Sequence, residues 1–132
     1  MRAVAITFIF LLLLPFQAQA QVVELTLSCE YERTYDPTTS LEQELSGNFS
    51  AVVRMTPPAA ATMVATSVGC FDYDGSFDEL EVYGDCERTI SNIKTKKSLK
   101  INRINGQFEE TSLIGKHFNI HYGHCVVKKK LF

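Results

Sequence analysis

The sequence lacks the familiar local signatures of catalysis. It contains no Gly-x-Ser-x-Gly nucleophile turn, no glycine-rich phosphate loop and no His-Glu-x-x-His zinc helix. Nothing local therefore points to an activated serine, a bound nucleotide or a metalloprotease centre. A basic excess is lacking too. With residues 1–20 set aside, 12 lysines and arginines face 15 acidic residues, whereas a nucleic-acid partner calls for a cationic footprint that neutralises phosphates. No stretch keeps the three- and four-residue apolar spacing of a long amphipathic helix, and there is no internal repeat. After residue 20 no run is long and apolar enough to cross a bilayer as a helix. No two cysteines stand in the close C-x₂₋₄-C spacing of a zinc-thiolate site.

What is present begins with an export signal. Met1-Arg2 supplies one positive charge, Val4 to Phe16 is apolar with Leu11 to Leu14 at its centre, and Ala18-Gln19-Ala20 is a small-x-small cleavage pattern. This is the three-part design of a signal peptide. Pro15 and Gln17 interrupt the run before it reaches the ~20 residues of a membrane-spanning helix. The expectation is a signal peptide over 1–20 and a single domain over 21–132, which is 112 residues long. A domain of that length buries roughly 60–70% of its unfolded surface.

Four cysteines remain, Cys29, Cys70, Cys86 and Cys125. An even number in an exported chain reads as two disulfides. Three pairings are open. The favoured one joins Cys29 to Cys125, in the first and last strands, and Cys70 to Cys86, on either side of a short hairpin.

Between the cysteines the pattern is period two. Leu25, Leu27, Cys29 and Tyr31 alternate with polar residues up to about Tyr35, where Asp36-Pro37 ends the strand. Thr39 to Leu45 reads as a polar connector with a possible capped helical turn. Phe49, Ala51, Val53 and Met55 form a second strand that Pro57-Pro58 ends. Met63 to Tyr73 reads as one β-branched strand, Asp74-Gly75 as its turn and Phe77 to Tyr83 as the returning arm. Cys86 to Lys97 carries little pattern. Ser98 to Ile104 and Gln107 to Ile114 flank Asn105-Gly106, a strong hairpin signal. Phe118, Ile120 and Tyr122 alternate in the final strand, ahead of Lys128-Lys129-Lys130 and Leu131-Phe132. The expected fold is mainly β: one small antiparallel sandwich or barrel of about seven or eight strands, linked by disulfides.

Leu27-Ser28-Cys29, the segment Ile101-Asn102-Arg103-Ile104-Asn105-Gly106, Gly123-His124-Cys125 and the terminal Phe132 resemble small exported, cysteine-bridged proteins of Gram-negative bacteria. The resemblance covers the first strand and roughly the final 30 residues. It implies a periplasmic β domain whose first and last cysteines pair. The group brings no assigned activity.

Several residues are candidates for chemistry. Asp72, Asp74, Gly75 and Glu81 fall at the third, fifth, sixth and twelfth positions of a calcium-loop pattern, but Cys70 stands at the first. The plainer reading is an acidic hairpin tip. His117 and His121 share one face of a strand and His124 the other, so three imidazoles do not converge on a metal. They read more simply as exposed histidines on an edge strand. Lys94, Lys96, Lys97, Lys100 and Arg103 read as a basic surface cluster, able to steer an acidic partner or to discourage edge pairing.

No cofactor and no catalytic residue is expected. The expectation is a non-enzymatic periplasmic or secreted binding module, such as an inhibitor or immunity-type protein, with a protein partner in the envelope. A small hydrolase using paired carboxylates and a structural envelope component are the alternatives.

Overall fold

A computed structural model describes residues 21–67 and 70–128. The expected signal peptide and the terminal residues Lys129, Lys130, Leu131 and Phe132 lie outside the described residues. The chain forms nine strands: β1 (Val23–Asp36), β2 (Leu41–Glu44), β3 (Asn48–Thr56), β4 (Ala60–Ser67), β5 (Cys70–Phe77), β6 (Glu81–Ile90), β7 (Ile93–Asn102), β8 (Gln107–Ile114) and β9 (His117–Val127).

All pairings are antiparallel, and each strand from β3 to β8 pairs with the next. β1 pairs with both β3 and β9, which closes an eight-stranded barrel. β2 is an extra strand that hairpins onto the far end of β1, from Arg33 to Asp36. Closure answers the open choice between sandwich and barrel and leaves the barrel wall without a free edge.

The alternation read in the sequence supplies the interior. Cys29 of β1, Val53 of β3, Met63 of β4, Tyr73 of β5 and Leu99 of β7 all point inward and are buried. The outward positions of β1, Thr26, Ser28, Glu30 and Glu32, are polar, as are Asp85 and Glu87 on β6. That is the reverse of a lipid-facing barrel.

The cysteines pair as favoured. Cys29 and Cys125 stand directly opposite each other in β1 and β9, with Cα atoms 4.0 Å apart. Their bridge locks the pairing that closes the barrel. Cys70 joins Cys86 where β5 and β6 have separated, since their ladder starts only at Asp74 and Asp85.

Four local expectations are corrected. Asp74-Gly75 is not a turn but lies inside β5, opposite Asp85 and Gly84. Gly75 serves close approach instead, because a Cβ there would lie 1.9 Å from the Tyr83 carbonyl oxygen. The turn falls later, at residues 78–80, where an Asp78 carboxylate oxygen accepts the Leu80 and Glu81 amides at 2.7 and 2.8 Å. Met63 to Tyr73 is two strands, β4 and β5, rather than one, with residues 68–69 between them outside the described part. Thr39 to Leu45 holds β2 rather than a helical turn, because it pairs with the extended end of β1. The indistinct Cys86–Lys97 segment is the β6–β7 hairpin. Its two-residue turn, Ser91-Asn92, has φ of 50° and 64°, the geometry that matches strand twist and one that asparagine tolerates.

Candidate binding site at the apolar mouth of the barrel

The interior is graded along the barrel axis. One mouth is formed by the start of β1, the end of β9 and the β5–β6 and β7–β8 turns. Below it lie Leu25, Leu27, Val53, Met55, Val82 and Ile101. Together with the ends of β7 and β9 they line a cavity of about 450 Å³ whose deep end meets Cys125. The volume is within the ~300–1,000 Å³ usual for small-molecule sites, which favour barrel mouths and mainly apolar walls.

Apolar side chains continue onto the rim. Ile104 is 76% exposed, and Leu80, Val126 and Val127 each more than half. The polar groups of the rim are occupied by its own turns. The Asn102 side-chain oxygen accepts the Ile104 and Asn105 amides at 2.8 and 3.1 Å. Arg103 donates from Nη1 to the Asp78 carbonyl oxygen and lies over the Phe77 ring, 5.6 Å from its centroid. The Arg103 amide donates to the Leu80 carbonyl at 2.7 Å. These bonds tie the two turns together and set the width of the opening. The Asp78 carboxyl is held below the usual carboxylate range, first by the Glu81 amide and then by the Leu80 amide.

The middle of the barrel is packed solid. The Tyr31, Phe49 and Phe108 rings meet pairwise with centroids 5.2–5.6 Å apart. Gly123 of β9 makes room for this cluster, since a Cβ there would come within 2.6 Å of the Phe108 ring and 1.9 Å of the Glu30 carbonyl oxygen.

Toward the other end the interior becomes polar. Lys97 and Glu110 face each other from β7 and β8, only 6% and 1% exposed, with Nζ 3.7 Å from Oε1. The Tyr31 hydroxyl donates to the Glu110 carboxylate at 3.3 Å. Burial, followed by the Glu110 charge, raises the Tyr31 pKa well above its ordinary value. His121 stacks edge-on to Tyr31, with centroids 5.7 Å apart, and its buried Nδ1 has no hydrogen-bond partner among the described residues. Burial lowers the His121 pKa by more than the Glu110 charge raises it. Thr95 and Ser112, both buried, complete this layer. A buried ion pair beside a tyrosine and a neutral imidazole restricts which strands can pair in register. Among the described residues it contains a single carboxylate, Glu110.

The candidate residues named from the sequence disperse over this framework. Asp72 and Asp74 lie on the outer face of β5, and Glu81 begins β6 opposite Asn102. The run that matched a calcium loop is thus mostly strand. Among the described residues no three His, Cys, Asp or Glu side chains gather into a group fit for a metal ion.

β9 is not an edge strand, because β1 and β8 flank it. His121 therefore faces the interior instead of solvent. His117 sits exposed at the β8–β9 turn, and His124 points outward, with Nδ1 2.6 Å from a Glu32 carboxylate oxygen. Lys97 leaves the expected basic cluster, because its register turns it into the barrel. On the outer face, Lys94 and Lys96 lie 2.8 and 3.7 Å from Glu87, and Lys100 lies 3.8 Å from Glu109. An outer groove of about 290 Å³ runs past Arg33, Tyr122, Lys100 and Glu109; Arg33 pairs with Glu42 and stacks over Tyr122 at 4.5 Å, and Lys100 pairs with Glu109. The apolar mouth was not legible in the sequence. Leu25, Val53 and Ile101 share one alternation, and nothing local shows that the barrel end above Val53 and Ile101 is left open.

No helix among the described residues is long and apolar enough to cross a membrane. Comparison with known protein families finds no matching family model, and comparisons with curated proteins and with solved structures find no match.

Proposed function

We propose that the chain is a binding module, exported by the segment 1–20, that acts by seating an apolar group of its ligand in the open mouth of the barrel. The observation that carries this reading is the half-enclosed cavity of about 450 Å³, walled by aliphatic side chains and framed by turns whose polar groups bond to one another. Such a wall gains free energy from any apolar group that fills it, at ~25 cal/mol per Å² removed from water. Rigid strands and the Cys29–Cys125 bridge hold the mouth in shape before the ligand arrives, so little ordering cost remains at binding. Inhibitors and immunity-type proteins of the bacterial envelope share this size and expected location, which is analogy alone.

The test is titration of the oxidised protein with N-phenyl-1-naphthylamine, an apolar dye that fluoresces on leaving water. Saturable 1:1 binding that Val127→Asp weakens supports the reading. Linear, non-saturating fluorescence that is indifferent to Val127→Asp retires it.

A second reading, docking of an acidic protein, draws on the opposite end. There Ile90, Ile93 and Ile114 are each 42–50% exposed on two hairpin tips, beside Lys94, Lys96 and Lys116. Crosslinking and capture from an envelope extract, compared between wild type and Ile93→Ser, tests it. One acidic protein recovered in stoichiometric amount and lost in the variant is the expected result.

A further inference from the structure

One cation stands at the lip of the cavity, with the acids of the β5–β6 turn outside its lining. Among the described residues Arg103 is the one charged side chain that lines the cavity, and no carboxylate lines it. The Phe77 ring and the Asp78 carbonyl hold the guanidinium at the rim. Of its five N–H donors, the Asp78 carbonyl engages a single nitrogen. The nearest acid, Asp78, turns its carboxylate to the amides of its own turn. Among the described residues the cavity wall beneath the rim is aliphatic, so the buried part of an occupant must be apolar. An eight-stranded barrel is wide enough for one such chain and no more. A cation at the lip of an apolar mouth matches a molecule with an anionic head and a single alkyl tail.

Building on the binding reading above, we infer that the mouth holds one straight-chain fatty acid, its tail against the accessible wall of Val23, Leu25 and Val127 and its carboxylate against Arg103. The tail gives affinity that grows with each methylene until the mouth is full, about fourfold per methylene. The headgroup gives selectivity. A carboxylate hydrogen-bonded to a guanidinium is favoured over an ammonium of the same chain length by about tenfold or more.

The experiment displaces N-phenyl-1-naphthylamine from the oxidised protein with octanoate, decanoate and dodecanoate, and with dodecanol and dodecylammonium, all below their aggregation concentrations. The expected result is tightening by about fourfold per methylene along the acids, with dodecanoate at least about tenfold tighter than dodecylammonium. Arg103→Gln should bring those two within about twofold, and Arg103→Lys, which keeps the charge, should restore most of the preference.

Dye binding with no preference for the acid, or a preference that survives Arg103→Gln, overturns the fatty-acid assignment and leaves the apolar mouth standing as a site. Absence of saturable dye binding overturns both. Dye binding that appears only after residues 129–132 are removed, or only on dilution of a dimer, assigns the mouth to the chain's own end or to a second copy and likewise overturns the inference.

Discussion

The buried Lys97–Glu110 pair gives the sharpest energetic test of the barrel. Both side chains are almost wholly withdrawn from water, with Nζ and Oε1 3.7 Å apart, so each is the other's main compensation for lost hydration. Glu110→Gln leaves an ammonium enclosed by strands with no opposing charge. Lys97→Met leaves a carboxylate with the Tyr31 hydroxyl alone. Each single change should cost ~3–5 kcal/mol. With urea m-values of ~1–3 kcal/mol/M, a loss at the lower end lowers the unfolding midpoint by roughly 1–3 M. The double variant Lys97→Met/Glu110→Leu removes both charges and keeps the volume, so it should recover to wild-type stability or exceed it by ~1–4 kcal/mol. Urea unfolding with the disulfides intact, followed by far-ultraviolet circular dichroism on all four proteins, closes the cycle. Single losses below ~1 kcal/mol, the range of solvent-screened pairs, would refute the buried-pair reasoning. So would a double variant whose loss equals the sum of the singles.

Three further outcomes follow from the same packing. Cys29→Ala/Cys125→Ala should cost ~4–5 kcal/mol and Cys70→Ala/Cys86→Ala ~3 kcal/mol, because the bridges span 96 and 16 residues; equal losses in denaturant unfolding would contradict the loop-closure account. His121 is buried with a depressed pKa, so the unfolded chain, titrating near 6.5, binds more protons than the fold between the two pKa values. Stability should therefore fall as pH drops through about 6.5 toward the folded pKa. The Tm difference between pH 7.5 and 5.5 should be smaller in His121→Phe than in wild type, and an unchanged difference would assign the pH dependence elsewhere. Gly123→Ala should lower stability by about 1–3 kcal/mol, since the added methyl meets the Phe108 ring and the Glu30 carbonyl; a Tm within a degree of wild type would show that the neighbours yield.

Much of the wall was legible because strand alternation is local. Leu27-Ser28-Cys29, Phe49 to Met55 and the Asn105-Gly106 hairpin each state which side faces in, and the even cysteine count in an exported chain states that bridges form. Glycine misled at position 75, because a turn glycine and a close-approach glycine look alike until the opposing strand is known. Lys97 misled for a related reason. Among four nearby lysines it alone falls on an inward register position below the barrel's end, and a lysine's chemistry does not disclose its register. Its partner Glu110 is 13 residues away in the sequence, on the next strand, so no local pattern couples the two. His121 looked exposed because β9 reads as the last strand of a sheet; closure against β1 gives it neighbours on both sides.

The sequence alone thus determined the β class, the inward and outward faces of most strands and the number of bridges, because these depend on period-two spacing and on composition. Tertiary structure alone decided closure into a barrel, the enclosure of a lysine with a glutamate, and the apolar mouth beside Arg103. These depend on which strands meet in three dimensions and on how completely side chains from distant segments fill the volume between them.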